Sequence, residues 1–247
     1  MRHTSSGAAS AIRHPSKTDP KAFKTVSDSN LESILIKIAL FAIPGILAIT
    51  LHEAAHGWAA GKLGDQTARS LGRVTANPLK HIDPIGTLLL PALMIALTPF
   101  VFGWAKPVPV NVNQLHNPKK DMALVAIAGP GANLLMALFW ALMIKAGAYL
   151  IPSLPLAGYS LIAMAQFGVL INLVLMVLNL LPLPPLDGGR VLAGVLPDHL
   201  SAHLNRIEPY GLIILVALLI TGVLGDILHP LIETSRNLVY ALTGLSS

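Results

Sequence analysis

The sequence contains no cysteine and very little charge: Asp, Glu, Lys and Arg together make up 12% of 247 residues. Without cysteine there are no disulfides and no thiolate metal sites, so a metal ion would have only His and carboxylates to hold it. The scarcity of charge excludes an ordinary soluble domain, in which about 25% of residues are charged. With 53% hydrophobic residues and a mean hydropathy of +0.66, much of the surface needs a solvent other than water. The expected class is an all-α polytopic membrane protein embedded in a lipid bilayer. The net charge of +5 sits in the polar N-terminal tail and the loops. It carries information about topology and is not a nucleic-acid footprint, so no nucleic-acid partner is expected.

Residues 1–30 are polar and of mixed charge, and read as a disordered tail. The first apolar run covers 34–51, broken only by Lys37, and continues through the His-bearing stretch to about Gly61. That exceeds the roughly 20 residues a span requires. A polar loop follows, with Lys62, Arg69, Arg73 and Lys80 and the turn signals Asn77-Pro78 and Asp83-Pro84. A second apolar run, 85–104, is interrupted by Gly86, Pro91 and Pro99. The alternation Pro107-Val108-Pro109-Val110 then predicts an extended edge strand in a short β-like hairpin. Further spans are expected at 122–151, 158–181 and 207–225, giving about four full transmembrane helices plus a re-entrant or broken segment. The expected organisation is a tail (1–30), a membrane domain (31–225) and an interfacial C-terminal segment (226–247). The chain shows no internal repeat.

The chemistry concentrates at His52-Glu53-Ala54-Ala55-His56. On a helix, His52 and His56 lie on one face one turn apart and can grip one ion, while Glu53 beside them can reach a metal-bound water without ligating. Two His and a Glu at the end of an apolar span are costly without partners, which favours function over incidental placement. A catalytic zinc takes three protein ligands and a water, so a third ligand is required. The carboxylates near apolar segments are Asp65, Asp83, Asp121, Asp187, Asp198, Asp226, Glu208 and Glu233. Asp187 stands out because it follows a span directly, in a Pro182/Pro184/Pro185 loop closed by Gly188 and Gly189. An incidental Asp in a Pro-Gly loop is the alternative on spacing alone. His199 and His203 are also four apart but lack the Glu, and His81, His116 and His229 read as loop or interface residues.

Together, His52-Glu53-x-x-His56, Gly129-x-x-x-Asn133 and Asn179-x-x-Pro182-x-Pro184-x-Leu186-Asp187-Gly188 resemble the site-2 protease family of intramembrane metalloproteases. The resemblance covers about residues 31–225. With no PDZ-like insertion between the spans, it is to the minimal branch of that family. The resemblance implies zinc as cofactor, Asp187 as the third ligand, Glu53 as general base, and Asn133 lining the active site to orient substrate or oxyanion. It also implies a transmembrane protein as substrate, hydrolysed within or near its membrane segment. The rival readings are a membrane metal-binding or transport protein and a zinc hydrolase acting on something other than a peptide. A transporter is expected to show repeats and has no need of Glu53 beside the ligands.

If Asp187 shares an ion with His52 and His56, the ends of the first and fourth apolar runs lie in the same half of the membrane. Three full crossings between them would put Asp187 on the wrong side, so segment 85–104 is expected to fold back. The basic loops on either side of that segment place them, with the metal site, on the cytoplasmic face of the plasma (inner) membrane. The basic residues of the tail argue the other way, and the metal parity is given more weight. Labelling of Arg13→Cys and Lys119→Cys from each side of sealed vesicles is expected to mark opposite faces; labelling of both from one side contradicts this topology.

Overall fold

The computed structural model describes residues 20–89 and 106–245. Residues up to Ala39 form one unit and Leu40–Ser247 another. The second unit carries everything discussed below. The long helices are α1 (Pro20–Lys62), α3 (Pro118–Leu150), α4 (Pro155–Asn179), α6 (Asp198–Ile220) and α7 (Val223–Thr243); α2 (Thr67–Ser70) and α5 (Asp187–Val195) are short. Helix α1 starts within the stretch expected as a polar tail. Four segments are long and apolar enough to cross a membrane: Leu40–Lys62, Pro118–Leu150, Pro155–Asn179 and Asp198–Ile220. Large apolar side chains such as Leu135, Phe139, Ile213 and Ile220 remain exposed along them. A water-soluble monomer rarely tolerates so much exposed apolar surface, whereas lipid solvates it.

The helix order follows from a few contacts. His56 on α1 meets Val125 on α3, and His52 and Ala48 meet Asn133. Positions rise on one helix as they fall on the other, so the two are antiparallel. Asn133 bonds Asn172, and a Cβ on Gly168 would strike the Trp140 ring. Thus α4 is antiparallel to α3 and parallel to α1. The core sits where α3, α4 and α7 meet, with Ala137, Trp140 and Ala141 against Ala165, Leu173 and Val239. Lipid offers no hydrophobic drive for helix association, so close van der Waals approach over small residues carries this packing.

The fourth span, α6, begins earlier than its hydropathy indicates. Pro197 precedes α6 and Asp198 occupies its first turn, where an acid complements the helix dipole. The polar residues up to Glu208 mask that helical turn in a hydropathy reading. Gly222, at φ 81°, breaks the chain between α6 and α7. The C-terminal segment expected at the interface is helix α7, with Val239 fully buried against the bundle.

The loop between α1 and α3 leaves and returns at the same end of the bundle: the His116 amide donates to the Leu63 carbonyl at 3.0 Å. That closure is what the metal parity demands of the chain in between. The path of most of the 85–104 run lies outside the described residues; its start, Pro84–Leu89, is a wide helical turn entered through Asp83, which accepts from the Ile85 and Gly86 amides.

The β-like hairpin expected at 107–110 is not formed among the described residues, which contain no strand. Residues 106–111 carry no strand, and all of their donors but the Val110 amide are absent or spent elsewhere. Pro107 and Pro109 have no N–H, the Val108 amide donates to Glu53 at 2.8 Å, and the Asn111 amide donates to Asp65 at 2.7 Å. Asp65 is fully buried and also accepts from the Thr67 amide at 2.9 Å. Burial alone would push its carboxyl up; the hydrogen bonds from Thr67 and Asn111 outweigh that and hold it below the usual carboxylate range. Each bond to such a charged acceptor contributes about 1.5–3 kcal/mol. Two carboxylates, Glu53 and Asp65, therefore tether the extended segment to the end of α1.

Candidate metal centre

Helix periodicity puts His52 and His56 one turn apart, and their rings meet edge to face with centroids 4.6 Å apart. Asp187 reaches them from another part of the chain. After α4 ends at Asn179, the proline loop, with a cis Pro184–Pro185 peptide, turns back and α5 starts at Asp187. Gly188 lies so close to the Leu180 and Leu181 carbonyls that no Cβ fits. Contact of the α5 N-terminus with the last turn of α4 is what delivers the carboxylate.

Three buried atoms converge. His52 Nε2 and His56 Nε2 are 3.1 Å apart, and Asp187 Oδ2 lies 3.2 Å from the first and 3.3 Å from the second. Among the described residues this is the one group of three or more His, Asp or Glu side chains close enough to share an ion. The opposite ring nitrogens are committed. His52 Nδ1 is 2.6 Å from Asn133 Oδ1, and His56 Nδ1 is 2.7 Å from the Val125 carbonyl. Both partners only accept, so each Nδ1 carries the proton and donates, and each Nε2 presents a lone pair. Asp187 Oδ2 correspondingly has no donor. Two lone pairs and a carboxylate oxygen facing one another in a buried site repel unless a cation lies between them. Two ligands at about 2.05 Å from a tetrahedral zinc lie about 3.3 Å apart, which matches the observed triangle. The residues present fit zinc.

The helix opposite is shaped for this. Pro130 removes the N–H that the Ala126 carbonyl would otherwise accept, in the turn whose Val125 carbonyl holds His56. At Gly129, one residue before, a Cβ would lie 2.5 Å from His56 Cε1 and 2.6 Å from His52 Cε1. Only glycine lets α3 approach both imidazoles.

Glu53, half-buried, lines the same cavity of about 140 Å³ together with His52, His56 and Asp187. One of its oxygens is fixed by the Val108 amide. Asn133, expected to line the active site, is instead fully buried behind His52. Its NH2 donates to Asn172 Oδ1 at 2.9 Å and to the Ala48 carbonyl at 3.2 Å. Asn179 does line the cavity, with its NH2 returned to the Leu175 carbonyl. His199 and His203 are exposed and join no such cluster. Sequence reading missed Asn172, a fully buried amide whose NH2 donates to the Gly168 carbonyl at 2.8 Å, and Arg190, an exposed cation at the cavity mouth. Asn172 was detectable as an amide in the middle of an apolar helix; Arg190 only as the basic residue one turn beyond Asp187.

A buried His–His–Asp triangle with an adjacent carboxylate outside it, set in a bundle of membrane-length helices, defines a membrane-embedded zinc hydrolase. The comparisons carry this further. The model of peptidase family M50 matches residues 146–222, the part that contains Asp187. The chain is 38% identical to the candidate zinc metalloprotease YwhC of Bacillus subtilis over 198 residues, 80% of this chain and 87% of that protein. It is 33% identical to the candidate zinc metalloprotease Rip2 of Mycolicibacterium smegmatis over 196 residues, 77% and 70% of the two chains. Similarity to Rip2 of Mycobacterium tuberculosis is 29% over 180 residues, 73% and 66% of the two chains. No solved structure gives a significant match. The chain belongs to peptidase family M50, the site-2 protease family, and is a zinc metalloprotease.

Gly129→Ala is expected to weaken zinc binding on the order of 10–100-fold, the loss typical when support of a metal ligand fails, with helix content unchanged. Competition with a chelator, read beside circular dichroism, checks this; wild-type zinc affinity in the variant contradicts it.

Proposed function

We propose that this chain hydrolyses peptide bonds within or near transmembrane segments of membrane-protein substrates, with His52, His56 and Asp187 holding the zinc and Glu53 acting as general base. The observation that carries the reading is the convergence of His52 Nε2, His56 Nε2 and Asp187 Oδ2 at 3.1–3.3 Å beside Glu53. When bound, zinc supplies a Lewis acid and lowers the pKa of a water to about 7. Glu53 takes the proton of the attacking water and returns it to the leaving amine. The Val108 amide holds one Glu53 oxygen, so the other is the one presented for this transfer. Asn133 acts as a positioning residue: it sets the tautomer and tilt of His52, and Asn172 in turn fixes Asn133. Arg190 at the cavity mouth offers its guanidinium to the carbonyl oxygen as charge develops on it.

A helix hides its carbonyls, so a transmembrane substrate unwinds locally before cleavage. A second cavity of about 660 Å³ shares Val108, Val110 and Arg190 with the metal cavity and continues to Met122, Ser201 and Glu208. It has room for an unwound segment and its side chains. Among the described residues 107–111, Val110 alone keeps an uncommitted N–H, which makes it the donor available to an extended substrate strand. The basic loops around the site favour a cytoplasmic-facing active site in the plasma (inner) membrane.

The test is purified protein against a transmembrane peptide in vesicles. Glu53→Gln is expected to lose on the order of 10²–10⁴-fold in rate while keeping its zinc, and Asp187→Asn to lose zinc and activity together. Cleavage by Glu53→Gln at the wild-type rate ends the general-base assignment, and full zinc occupancy in Asp187→Asn removes Asp187 from the ligand set.

A further inference from the structure

On the loop that follows α1, meeting the metal cavity only at Pro107, lies a third cavity of about 470 Å³. Arg73, Lys80 and Lys106 line it together with Leu71, Leu79 and Ile82, and among the described residues no carboxylate does. Arg73 is the unusual member. It is 8% exposed; its Nη2 donates to the Lys106 carbonyl at 2.8 Å and the Pro107 carbonyl at 3.3 Å, while its buried Nε has no partner at all. None of the ion pairs among the described residues involves Arg73, Lys80 or Lys106. A buried guanidinium without a counter-charge is strongly penalised. Two exposed lysines, Lys80 and Lys106, line the same cavity. The cavity thus has three positive groups and room for a ligand.

We propose that this cavity binds a phosphate-bearing anion and that its resident source is the headgroup of an anionic phospholipid. Guanidinium and ammonium groups gathered around one space are the chemistry that holds phosphate. The apolar rim selects the lipid source: Leu71 is 59% and Leu79 73% exposed beside the cations, and exposed leucines next to basic residues at the end of a membrane span suit the boundary between headgroups and acyl chains. Occupancy reaches the active site through the backbone. Arg73 holds the carbonyls of Lys106 and Pro107, and the next residue, Val108, donates to Glu53. An anion that fixes Arg73 therefore steadies the segment that orients Glu53. That coupling rests on the proposed function, whereas binding does not, so a binding measurement separates failure of one from failure of the other.

The experiment uses the full chain in vesicles of phosphatidylcholine alone and of phosphatidylcholine mixed with phosphatidylglycerol, and in neutral detergent with inorganic phosphate. The thermal unfolding midpoint, zinc content and, by native mass spectrometry, retained lipid are measured. Phosphatidylglycerol is expected to raise the midpoint by about 2–4 °C and to be retained. The Lys80→Gln/Lys106→Gln double variant is expected to lose most of that shift with zinc content unchanged, and Lys62→Gln/Arg69→Gln, the same charge change at the end of α1 and in α2, to keep it. An equal shift with inorganic phosphate, lost in the same double variant, supports the anion site and assigns its source to free phosphate. No shift with either probe, or the wild-type shift in the Lys80→Gln/Lys106→Gln variant, overturns the proposal.

Discussion

Two imidazole lone pairs and a carboxylate oxygen face one another across 3.1–3.3 Å in a buried site, with no proton among them to share. Left without a cation, this is one of the most costly arrangements a low-dielectric interior can hold. The rest of the architecture is organised to keep it in place. Asn133 and the Val125 carbonyl keep the protons on the far side of each ring. Gly129 clears the space those rings occupy, and the α4–α5 turn carries Asp187 across. The imidazoles come from α1, their hydrogen-bond partners and Gly129 from α3, and Asp187 from the turn after α4, so the zinc site and the order of α1, α3 and α4 are one constraint seen twice.

The same economy governs the loop between α1 and α3. Extended backbone near a bilayer is tolerated only where its polar groups find partners. Here the amides of Val108 and Asn111 find carboxylates at the end of α1, one of them the candidate general base. The Lys106 and Pro107 carbonyls find Arg73. A segment that would otherwise be an open sheet edge thereby becomes a wall of the active site, and the position of Glu53 depends on the loop as much as on its own helix.

Much of this was legible in the sequence, because the determining signals are periodic or local. The spacing of His52 and His56 puts both on one helical face whatever surrounds them. The prolines and glycines around Asp187 mark a forced turn where a carboxylate can leave a helix. The parity argument followed from those ligands, and the Leu63–His116 closure agrees with it. What stayed hidden depends on tertiary neighbours. Asn133 reads from sequence as a polar residue that faces substrate, but packing against α1 turns it to His52. Asn172 carries no motif, and its role exists only because α4 lies beside α3. Valine–proline alternation reads as a strand, but strand formation needs free amides, and here the prolines have none and the Val108 and Asn111 amides are taken. The start of α6 was obscured by polar residues that hydropathy counts as loop. Arg73 looked like one more basic loop residue, and burial alone sets it apart.

The central claim is that two imidazoles and one carboxylate hold a single tetrahedral zinc. X-ray absorption at the zinc edge of the purified protein tests it most directly. The account predicts one zinc per chain, with light-atom ligands at about 2.0–2.2 Å and the multiple-scattering signature of two imidazoles. A signature of three or more imidazoles, or six-coordinate oxygen ligation without imidazole, would contradict it.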